Sequence, residues 1–201
     1  MRSSRVRSSN RRTIRFYEAY APKYTEGVSP RPPRDVASGL RRMMRHVPRG
    51  GLVLEIGSGP GRDADYIESL GARVRRTDAT QAFLDLQARR GRYGERLNVL
   101  TDALGGPYHA ILAMCVLIHI ERAQTDRVLT KIRRALRPGG AFLAGVWEGR
   151  GETAGDYHMT YWRRAAFIDR LTAAGLTVEW DSRRVDSDGD IGLNFLARRL
   201  P

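Results

Sequence analysis

Residues 52–67 read LVLEIGSGPGRDADYI, an apolar run that breaks into glycine and then resumes with the spacing of a helix. Gly57, Gly59 and Gly61 occupy every second position behind the acidic Glu55. Glycine is required where a Cβ would keep a ligand away from the backbone or forbid the turn conformation, and the helix start that follows offers unpaired N–H groups. The stretch predicts a buried strand, a turn that binds a ligand through its backbone, and a helix.

Strands and helices alternate from this point to the carboxyl terminus. Further strands are predicted at residues 72–78, 97–102, 108–117, 141–147, 176–180 and 191–197. The segment 108–117 is apolar throughout most of its length, as expected of a central parallel strand that is buried on both faces. The polar connection at 181–190 is too short for a crossover helix, so the last two strands should pair antiparallel. The pattern predicts an α/β fold, a doubly wound Rossmann-like sheet of seven mostly parallel strands with an antiparallel terminal strand and helices on both faces.

The chain is predicted to form a single domain over residues 12–201. Within it, residues 12–48 form an amino-terminal helical cap and residues 51–201 form the Rossmann-like core. The first helix is expected to be interrupted near Pro22. Residues 1–11 lack apolar periodicity and are predicted to be a disordered basic arm.

The composition indicates a soluble, cytoplasmic protein. Hydrophobic residues make up 41% of the chain, which argues against global disorder. No apolar run approaches the roughly 18–20 residues that cross a bilayer, and the basic amino terminus leads into no signal-peptide core. The single cysteine, Cys115, excludes an internal disulfide framework. The histidines are too scattered for a metal site, and no H-E-x-x-H is present.

The formal net charge of +13 invites a nucleic-acid hypothesis, because phosphate neutralisation supplies most non-specific affinity. Lys23 and Lys131 are the only lysines, and the arginines are spread along the chain, which is more typical of a GC-rich genome than of a selected surface. A basic cluster remains at the start of the chain, and a solvated tail is the commoner role of such a run. Nucleic acid is therefore a possible partner but not the favoured one.

Two classes of nucleotide cofactor use a glycine turn at this place in a parallel sheet. A dinucleotide site follows G-x-G-x-x-G, whose third glycine lets helix and strand approach closely. Arg62 stands where that third glycine would be, and the pattern is G-x-G-x-G instead. This register disfavours a nicotinamide dinucleotide without excluding it.

The form EIGSGPG at residues 55–61 resembles motif I of class I S-adenosylmethionine-dependent methyltransferases. The resemblance extends over about residues 13–198 and rests on five segments in the expected order. FYEAYAPKY at 16–24 resembles the amino-terminal helix that those enzymes fold over the cofactor, and RRTDATQAF at 75–83 resembles the end of their second strand. LTDAL at 100–104 resembles the segment near adenine, and LRPGGAFLAG at 136–145 resembles the start of the fifth strand.

The resemblance implies S-adenosyl-L-methionine as cofactor and S-adenosyl-L-homocysteine as product. Asp78 would accept hydrogen bonds from the ribose hydroxyls, the alternative being a cap of the following helix. Phe83 would pack on adenine or in the core, and Asp102 with the backbone of Ala103 would read the adenine edge or form a strand-end turn. The predicted cofactor-binding residues are Tyr17, Tyr24, Glu55, Gly57, Ser58, Gly59, Gly61, Asp78, Ala79, Phe83, Asp102, Ala103 and Cys115.

The acceptor side is less specific, because transfer of an activated methyl group needs a general base only when the acceptor must lose a proton. His119 follows the fourth strand, where the family often has a histidine near the methyl group, and it is the candidate catalytic residue. A neutral, hydrogen-bonded structural histidine is the alternative. The predicted acceptor-lining residues lie in or near a glycine-containing loop that suits either a lid or a plain surface loop: they are His119, Glu148, Tyr157, His158 and Tyr161.

The leading hypothesis is transfer of a methyl group to O or N of a small-molecule metabolite, by a monomer or homodimer without membrane attachment. A second hypothesis keeps the reaction and makes RNA or another macromolecule the acceptor through the arginine arm, although no Asn/Asp-Pro-Pro-aromatic loop follows the fourth strand. A third is a nicotinamide-dependent oxidoreductase. A fourth is a binding module that keeps the fold without catalysis.

Overall fold

A seven-stranded sheet forms the centre of the computed structural model, which describes residues 2–186 and 189–201. The described strands are β1 (Leu52–Ile56), β2 (Arg73–Asp78), β3 (Glu95–Arg96), β4 (Tyr108–Met114), β5 (Leu136–Trp147), β6 (Glu152–Ala154), β7 (His158–Thr160), β8 (Thr177–Val185) and β9 (Ile191–Arg198). The sheet order is β3-β2-β1-β4-β5-β9-β8, and β6 and β7 form a separate hairpin. β1 to β5 pair parallel, whereas β9 pairs antiparallel with both β5 and β8. The predicted fold class is confirmed, including the antiparallel pairing of the last two strands.

The helices cover the two faces of this sheet. Their bounds are α1 (Arg2–Gly27), α2 (Arg34–Met44), α3 (Arg62–Ser69), α4 (Gln81–Ala88), α5 (Arg122–Ala135) and α6 (Arg164–Ala173), with a 3₁₀ turn at Leu117–His119. Neighbouring strand residues point to opposite faces, so Val53 packs with α2 residues such as Leu40. Leu54 belongs to the other apolar cluster, which holds Ile132 of α5 and Phe167 of α6.

The third strand is shorter than predicted. The sequence predicts a strand over 97–102, but β3 ends at Arg96 and residues 98–102 form a turn. Asp102 explains the difference, because its carboxylate accepts a hydrogen bond from the Asn98 N–H at 2.9 Å and its own N–H donates to the Asn98 carbonyl at 2.9 Å. Such local side-chain bonds compete with sheet pairing. Leu97 and Val99 are buried nonetheless.

Two further boundaries differ from the predictions. β5 begins at Leu136, which pairs with Tyr108 of β4, rather than at residue 141. The glycine-containing segment after β5, predicted as a lid or a surface loop, contains the hairpin β6–β7, in which Glu152 pairs with Thr160. The short intervening turn brings the hairpin back against the 3₁₀ turn after β4.

Helix α1 differs most from its prediction. It begins at Arg2, so it includes the stretch predicted to be a disordered arm, although Met1 lies outside the described residues. Tertiary bonds explain the order at residues 9–11: Ser9 is buried, and Asn98 Nδ2 donates to Asn10 Oδ1 at 2.6 Å. The helix also passes through Pro22 without a break. Pro22 is exposed, where water can hydrate the carbonyl that proline leaves unpaired.

Candidate active site

A cavity of about 290 Å³ opens at the carboxyl ends of β1, β2 and β4, under α1. This is where an open parallel sheet places its ligands, because the winding direction reverses between β1 and β4. Ten of the predicted site residues line the cavity: Tyr17, Tyr24, Gly57, Gly59, Asp78, Ala79, Phe83, Cys115, His119 and Tyr157.

The glycine turn after β1 forms the floor of the cavity. Gly57 has a φ of 68°, and an added Cβ there would come within 2.5 Å of Val116 Cγ2. Gly59 also has a left-handed φ, of 52°, but a Cβ on it would meet nothing within 4 Å. Gly59 therefore presents bare backbone to open space, which is the cradle that a ligand needs. Ser58 and Gly61 lie outside the cavity lining; the Ser58 hydroxyl donates to the Thr77 carbonyl at 3.0 Å and anchors the turn to β2.

Asp78 ends β2 and joins it to the glycine turn. Its carboxylate accepts hydrogen bonds from the N–H groups of Gly59 and Thr80, each at 2.8 Å. The side chain is buried, and burial raises its pKa while these backbone bonds act in the opposite direction. Each carboxylate oxygen has a second lone pair, so Asp78 could accept from a ligand diol as well.

The alternative role for Asp78, a cap of α4, belongs to another residue. Glu18 of α1 accepts hydrogen bonds from the first two N–H groups of α4, those of Gln81 at 2.8 Å and Ala82 at 2.9 Å. A carboxylate at a helix amino terminus satisfies unpaired donors and the helix dipole together. Glu18 therefore ties α1 to α4 and leaves Asp78 at the cavity.

Glu55 lies within β1 and is not part of the cavity lining. It is 3% exposed, and its Oε2 has no hydrogen-bond partner. Burial raises the pKa of this carboxyl well above its usual range, and the nearby Asp63 and Asp78 act in the same direction. An unpaired buried carboxylate is costly, which is the physical cause of this upward shift of the pKa.

Asp102 and Ala103, predicted at the adenine edge, are exposed and lie outside the cavity lining. Asp102 forms the strand-end turn that was the alternative role, and this turn places it outside the lining. Because β3 ends at Arg96, the cavity receives Leu97, Asn98 and Val99 instead. The sequence indicated this arrangement through the polar Asn98, which stands between the apolar Leu97 and Val99 directly after the strand.

Aromatic rings surround the outer part of the cavity. Tyr17 lies 6.1 Å from Phe83 and 6.0 Å from both Tyr24 and Tyr157, measured between ring centroids. Burial raises the pKa of Tyr17 and raises that of Tyr24 to about 12, so both hydroxyls keep their protons at neutral pH. Phe83 is 4% exposed and lines the cavity, and it serves the core and the site together.

His119 lies in the 3₁₀ turn after β4, between α1 and the β6–β7 hairpin. Its Nε2 is 3.0 Å from the Tyr17 hydroxyl oxygen, and its Nδ1 is 2.8 Å from the carbonyl oxygen of His158. Burial lowers the pKa of His119 to about 4, so the ring is neutral at neutral pH. A carbonyl only accepts hydrogen bonds, so Nδ1 carries the ring proton and Nε2 accepts from Tyr17.

Three of the predicted acceptor-lining residues are not in the cavity lining. Glu148 pairs with Arg183 at 2.7 Å, and Tyr161 packs beside Gly149. His158 acts through its backbone, because its carbonyl accepts from His119 and its N–H donates to the Thr13 hydroxyl at 3.1 Å. Cys115 does line the cavity, but burial raises the pKa of its thiol to about 11, which leaves no reactive thiolate.

Residues of α1 that precede Tyr17 also line the cavity and were not among the predicted site residues. Asn10, Thr13 and Ile14 line the cavity together with Tyr17. These positions have the i, i+3, i+4, i+7 spacing of one helix face, which was visible in the sequence. Asn10 was overlooked because it fell in the stretch predicted to be disordered.

Other kinds of site find no support in the described part of the chain. Among residues 2–186 and 189–201, no group of three or more histidine, cysteine, aspartate or glutamate side chains is arranged to hold a metal ion. In the same residues, no helix combines the length and the apolarity that crossing a membrane requires.

Comparisons with known proteins agree with this geometry. Residues 54–142 match the family model described as a methyltransferase domain. No curated protein matches the sequence. The structure resembles a 1,6-didemethyltoxoflavin-N1-methyltransferase from Burkholderia thailandensis, solved with 1,6-didemethyltoxoflavin and S-adenosylhomocysteine, at 23% identity and a TM-score of 0.69, over 84% of this chain and 80% of that one.

Two other solved structures show how widely the fold is used. A putative methyltransferase in complex with the Trm112 methyltransferase activator of Haloferax volcanii is similar at 17% identity and a TM-score of 0.78, over 94% of this chain and 98% of that one. The [4+2]-cyclase SpnF is similar at 13% identity and a TM-score of 0.74, over 96% of each chain. Likeness at this level shows the fold alone. The family model matches less than half of the chain, over residues 54–142, and this match to a methyltransferase domain agrees with the sheet order and the glycine-floored cavity.

Proposed function

We propose that the protein transfers a methyl group to an oxygen or nitrogen atom of a small-molecule metabolite. The observation that carries the proposal is the cover that α1 places over the cavity. The helix is tied down along its length, by Asn10 to Asn98, by Thr13 to His158, by Tyr17 to His119 and by Glu18 to α4. A helix held over the cavity at these points favours a compact acceptor over a folded macromolecule.

S-adenosylmethionine is the proposed cofactor, with S-adenosylhomocysteine as its product, and we place it across the glycine turn. Gly57 and Gly59 would receive its amino-acid half through bare backbone, and Asp78 would accept from the ribose hydroxyls. Phe83 would pack on the adenine ring, and Asn98, in the place first given to Asp102, would bond its edge. Tyr24 and Cys115 would contact the same molecule from above and from the end of β4.

The chain's own part in the reaction is positioning and exclusion of water. The bound cofactor supplies an activated methyl group on a sulfonium centre. The bonds between α1 and the hairpin β6–β7 hold the acceptor side of the cavity in place and keep it dry, which lets weak nucleophiles react. Tyr17 and His119 are the polar pair that faces this side.

Two measurements test the proposed function. Calorimetry with S-adenosylhomocysteine and with NADH should show binding of the former only; preference for NADH would contradict the assignment. Incubation with deuteromethyl-labelled cofactor and either a small-metabolite filtrate or total RNA should place the label in the filtrate, as followed by mass spectrometry. Label in RNA that is lost when residues 1–8 are deleted would instead establish a macromolecular acceptor bound by the basic amino terminus.

A further inference from the structure

The acceptor side of the cavity holds a hydrogen-bonded pair of side chains from two distant segments of the chain. Tyr17 and His119 come from positions 102 residues apart, and both line the cavity. We propose that Tyr17 and His119 form a proton relay that takes the proton from a neutral aromatic hydroxyl acceptor, with Tyr17 in contact with the acceptor and His119 behind it. This inference rests on the proposed function and names its acceptor class.

The hydrogen bonds fix the direction of the relay. The His158 carbonyl holds the proton of His119 on Nδ1, so the lone pair of Nε2 points at the Tyr17 hydroxyl. Tyr17 therefore donates to His119, and the free lone pairs of its oxygen remain for a donor in the cavity. A neutral acceptor hydroxyl is such a donor.

The transfer balances without another reactant. The acceptor O–H bond breaks, and its oxygen forms a bond to the methyl carbon while the bond from that carbon to the sulfonium sulfur breaks and leaves its electron pair on sulfur. The acceptor proton passes to the Tyr17 oxygen, while the Tyr17 proton passes to His119 Nε2. The histidine then carries the positive charge and keeps its Nδ1–H bond to the His158 carbonyl.

The pair is held from both sides, as a catalytic geometry requires. On the hairpin side, the Thr160 hydroxyl donates to the Ile120 carbonyl at 2.7 Å, next to His119. On the α1 side, the Thr13 hydroxyl accepts from the His158 N–H at 3.1 Å and donates to the Ser9 carbonyl at 3.2 Å. These bonds close a loop that fixes the His158 carbonyl against His119.

The surroundings favour an aromatic hydroxyl over other acceptors. Among the described residues, Asp78 is the only member of the cavity lining that is ionised at neutral pH by its usual pKa, and no lysine or arginine is present to attract a carboxylate. Tyr24, Phe83 and Tyr157 offer ring faces and edges to a planar molecule. A neutral amine can attack without a base, so the relay would serve it no purpose.

The acidity of Tyr17 relative to that of the acceptor also favours an aromatic hydroxyl. Burial and neighbouring groups raise the pKa of Tyr17 above that of an ordinary phenol, so a phenolic acceptor is the stronger acid of the two. Burial lowers the pKa of His119, so the ring is neutral at neutral pH with its Nε2 lone pair available, while the hydrogen bond to the His158 carbonyl acts in the opposite direction and favours the charged ring. The titratable groups that face the pair are Tyr24 of α1, Asp78 at the end of β2, Cys115 after β4, and Tyr157 and His158 of the hairpin.

The test compares Tyr17→Phe and His119→Gln with Tyr20→Phe, a matched control on α1 outside the cavity lining. The probes are phenols of graded acidity, from 4-methoxyphenol to 4-nitrophenol, with benzylamine as the amine. Each variant is first checked by thermal melting and by calorimetry with S-adenosylhomocysteine, so that kcat is compared between folded proteins at saturating cofactor. The wild-type protein should methylate phenols across the series.

Tyr17→Phe and His119→Gln should each lower kcat for the weakly acidic phenols by roughly 10²–10³-fold, the usual contribution of a positioned base. Their rates should recover as the phenol becomes more acidic or the pH rises, and the double variant should be no slower than either single one. Nitrogen NMR of the wild-type protein should report His119 with its proton on Nδ1, and the Nε2 resonance should shift in Tyr17→Phe.

Three outcomes would overturn the relay. The first is a kcat of Tyr17→Phe equal to that of Tyr20→Phe. The second is a loss of kcat in Tyr17→Phe and His119→Gln that does not depend on the acidity of the phenol. The third is methylation of benzylamine, but of no phenol, by the wild-type protein. All three leave the proposed small-molecule methyltransferase standing. Failure of the wild-type protein to bind S-adenosylhomocysteine would instead remove the function on which the relay rests.

Discussion

The two halves of the cavity are built in different ways. The cofactor half consists of a glycine turn and a strand-end aspartate, joined by one bond of 2.8 Å between the Gly59 N–H and Asp78, 19 residues apart. The acceptor half joins Tyr17 to His119 across 102 residues and Thr13 to His158 across 145 residues. The first half depends on backbone shape, and the second depends on side chains that only the folded chain brings together. A fold can therefore keep its cofactor site and change its acceptor.

The largest expected effect is on the cofactor half, and a matched control accounts for the strain that valine experiences at a left-handed φ. In Gly59→Val, the new side chain enters the open space of the cradle, so S-adenosylhomocysteine affinity should fall by roughly 100-fold or more, equivalent to about 3 kcal/mol. Gly91→Val is the control, because Gly91 has a similar left-handed φ of 71° and open space around its Cβ but does not line the cavity. Equal affinity of both variants for S-adenosylhomocysteine in calorimetry would refute binding of the cofactor over the Gly59 backbone.

The second largest expected effect is a loss of folded-state stability at acid pH, and it arises from His119 in the acceptor half. The folded state lowers the pKa of His119 to about 4, from a value of about 6.5 in the unfolded chain. A depressed pKa contributes stability above the unfolded value, and that stability is lost as the pH falls from 6.5 towards 4.

The full contribution is of the order of 3 kcal/mol. Denaturant unfolding of the wild-type protein and His119→Gln across this pH window measures the difference. The variant should lose less stability on acidification, and parallel curves would contradict the buried neutral ring. Glu55 and Asp78, whose pKa values are raised, favour the folded state at low pH and are common to both proteins.

Asp78→Ala tests the hydrogen bond between the end of β2 and the glycine turn. It removes the partner of the Gly59 N–H and the proposed ribose acceptor, so cofactor affinity should fall by about 1–3 kcal/mol. Asp85→Ala, on the exposed face of α4, is the control. Calorimetry distinguishes them, and unchanged affinity in Asp78→Ala would mean that the ribose contact is wrongly assigned.

The smallest expected effect concerns the contact between the two halves. Glu18→Ala removes the cap that α1 provides to α4, and such a cap contributes about 1 kcal/mol. The melting temperature should fall by a few degrees, while Glu26→Ala at the exposed end of the same helix should leave it unchanged. If both variants melt alike, α1 is not held by Glu18.

Prediction from the sequence agrees with the structure where a feature is encoded over a few neighbouring residues. The glycine turn and the aspartate at the end of β2 were found at their own positions, because turn geometry and strand ends are local properties. The predicted adenine-edge residue, Asp102, lies four positions from Asn98, which lines the cavity, because the length of β3 depends on a turn bond that no periodicity reveals. Asn10 was missed because its helix is stabilised by a partner 88 residues away.

The sequence by itself determined the order of strands and helices, the bare backbone after β1 and the carboxylate beside it. Only the tertiary structure decided that Glu18 rather than Asp78 caps α4, that His158 acts through its carbonyl, and that Tyr17 donates to His119. The physical reason is that backbone conformation follows from local residue type, whereas a hydrogen bond between distant side chains exists only after packing has fixed both partners.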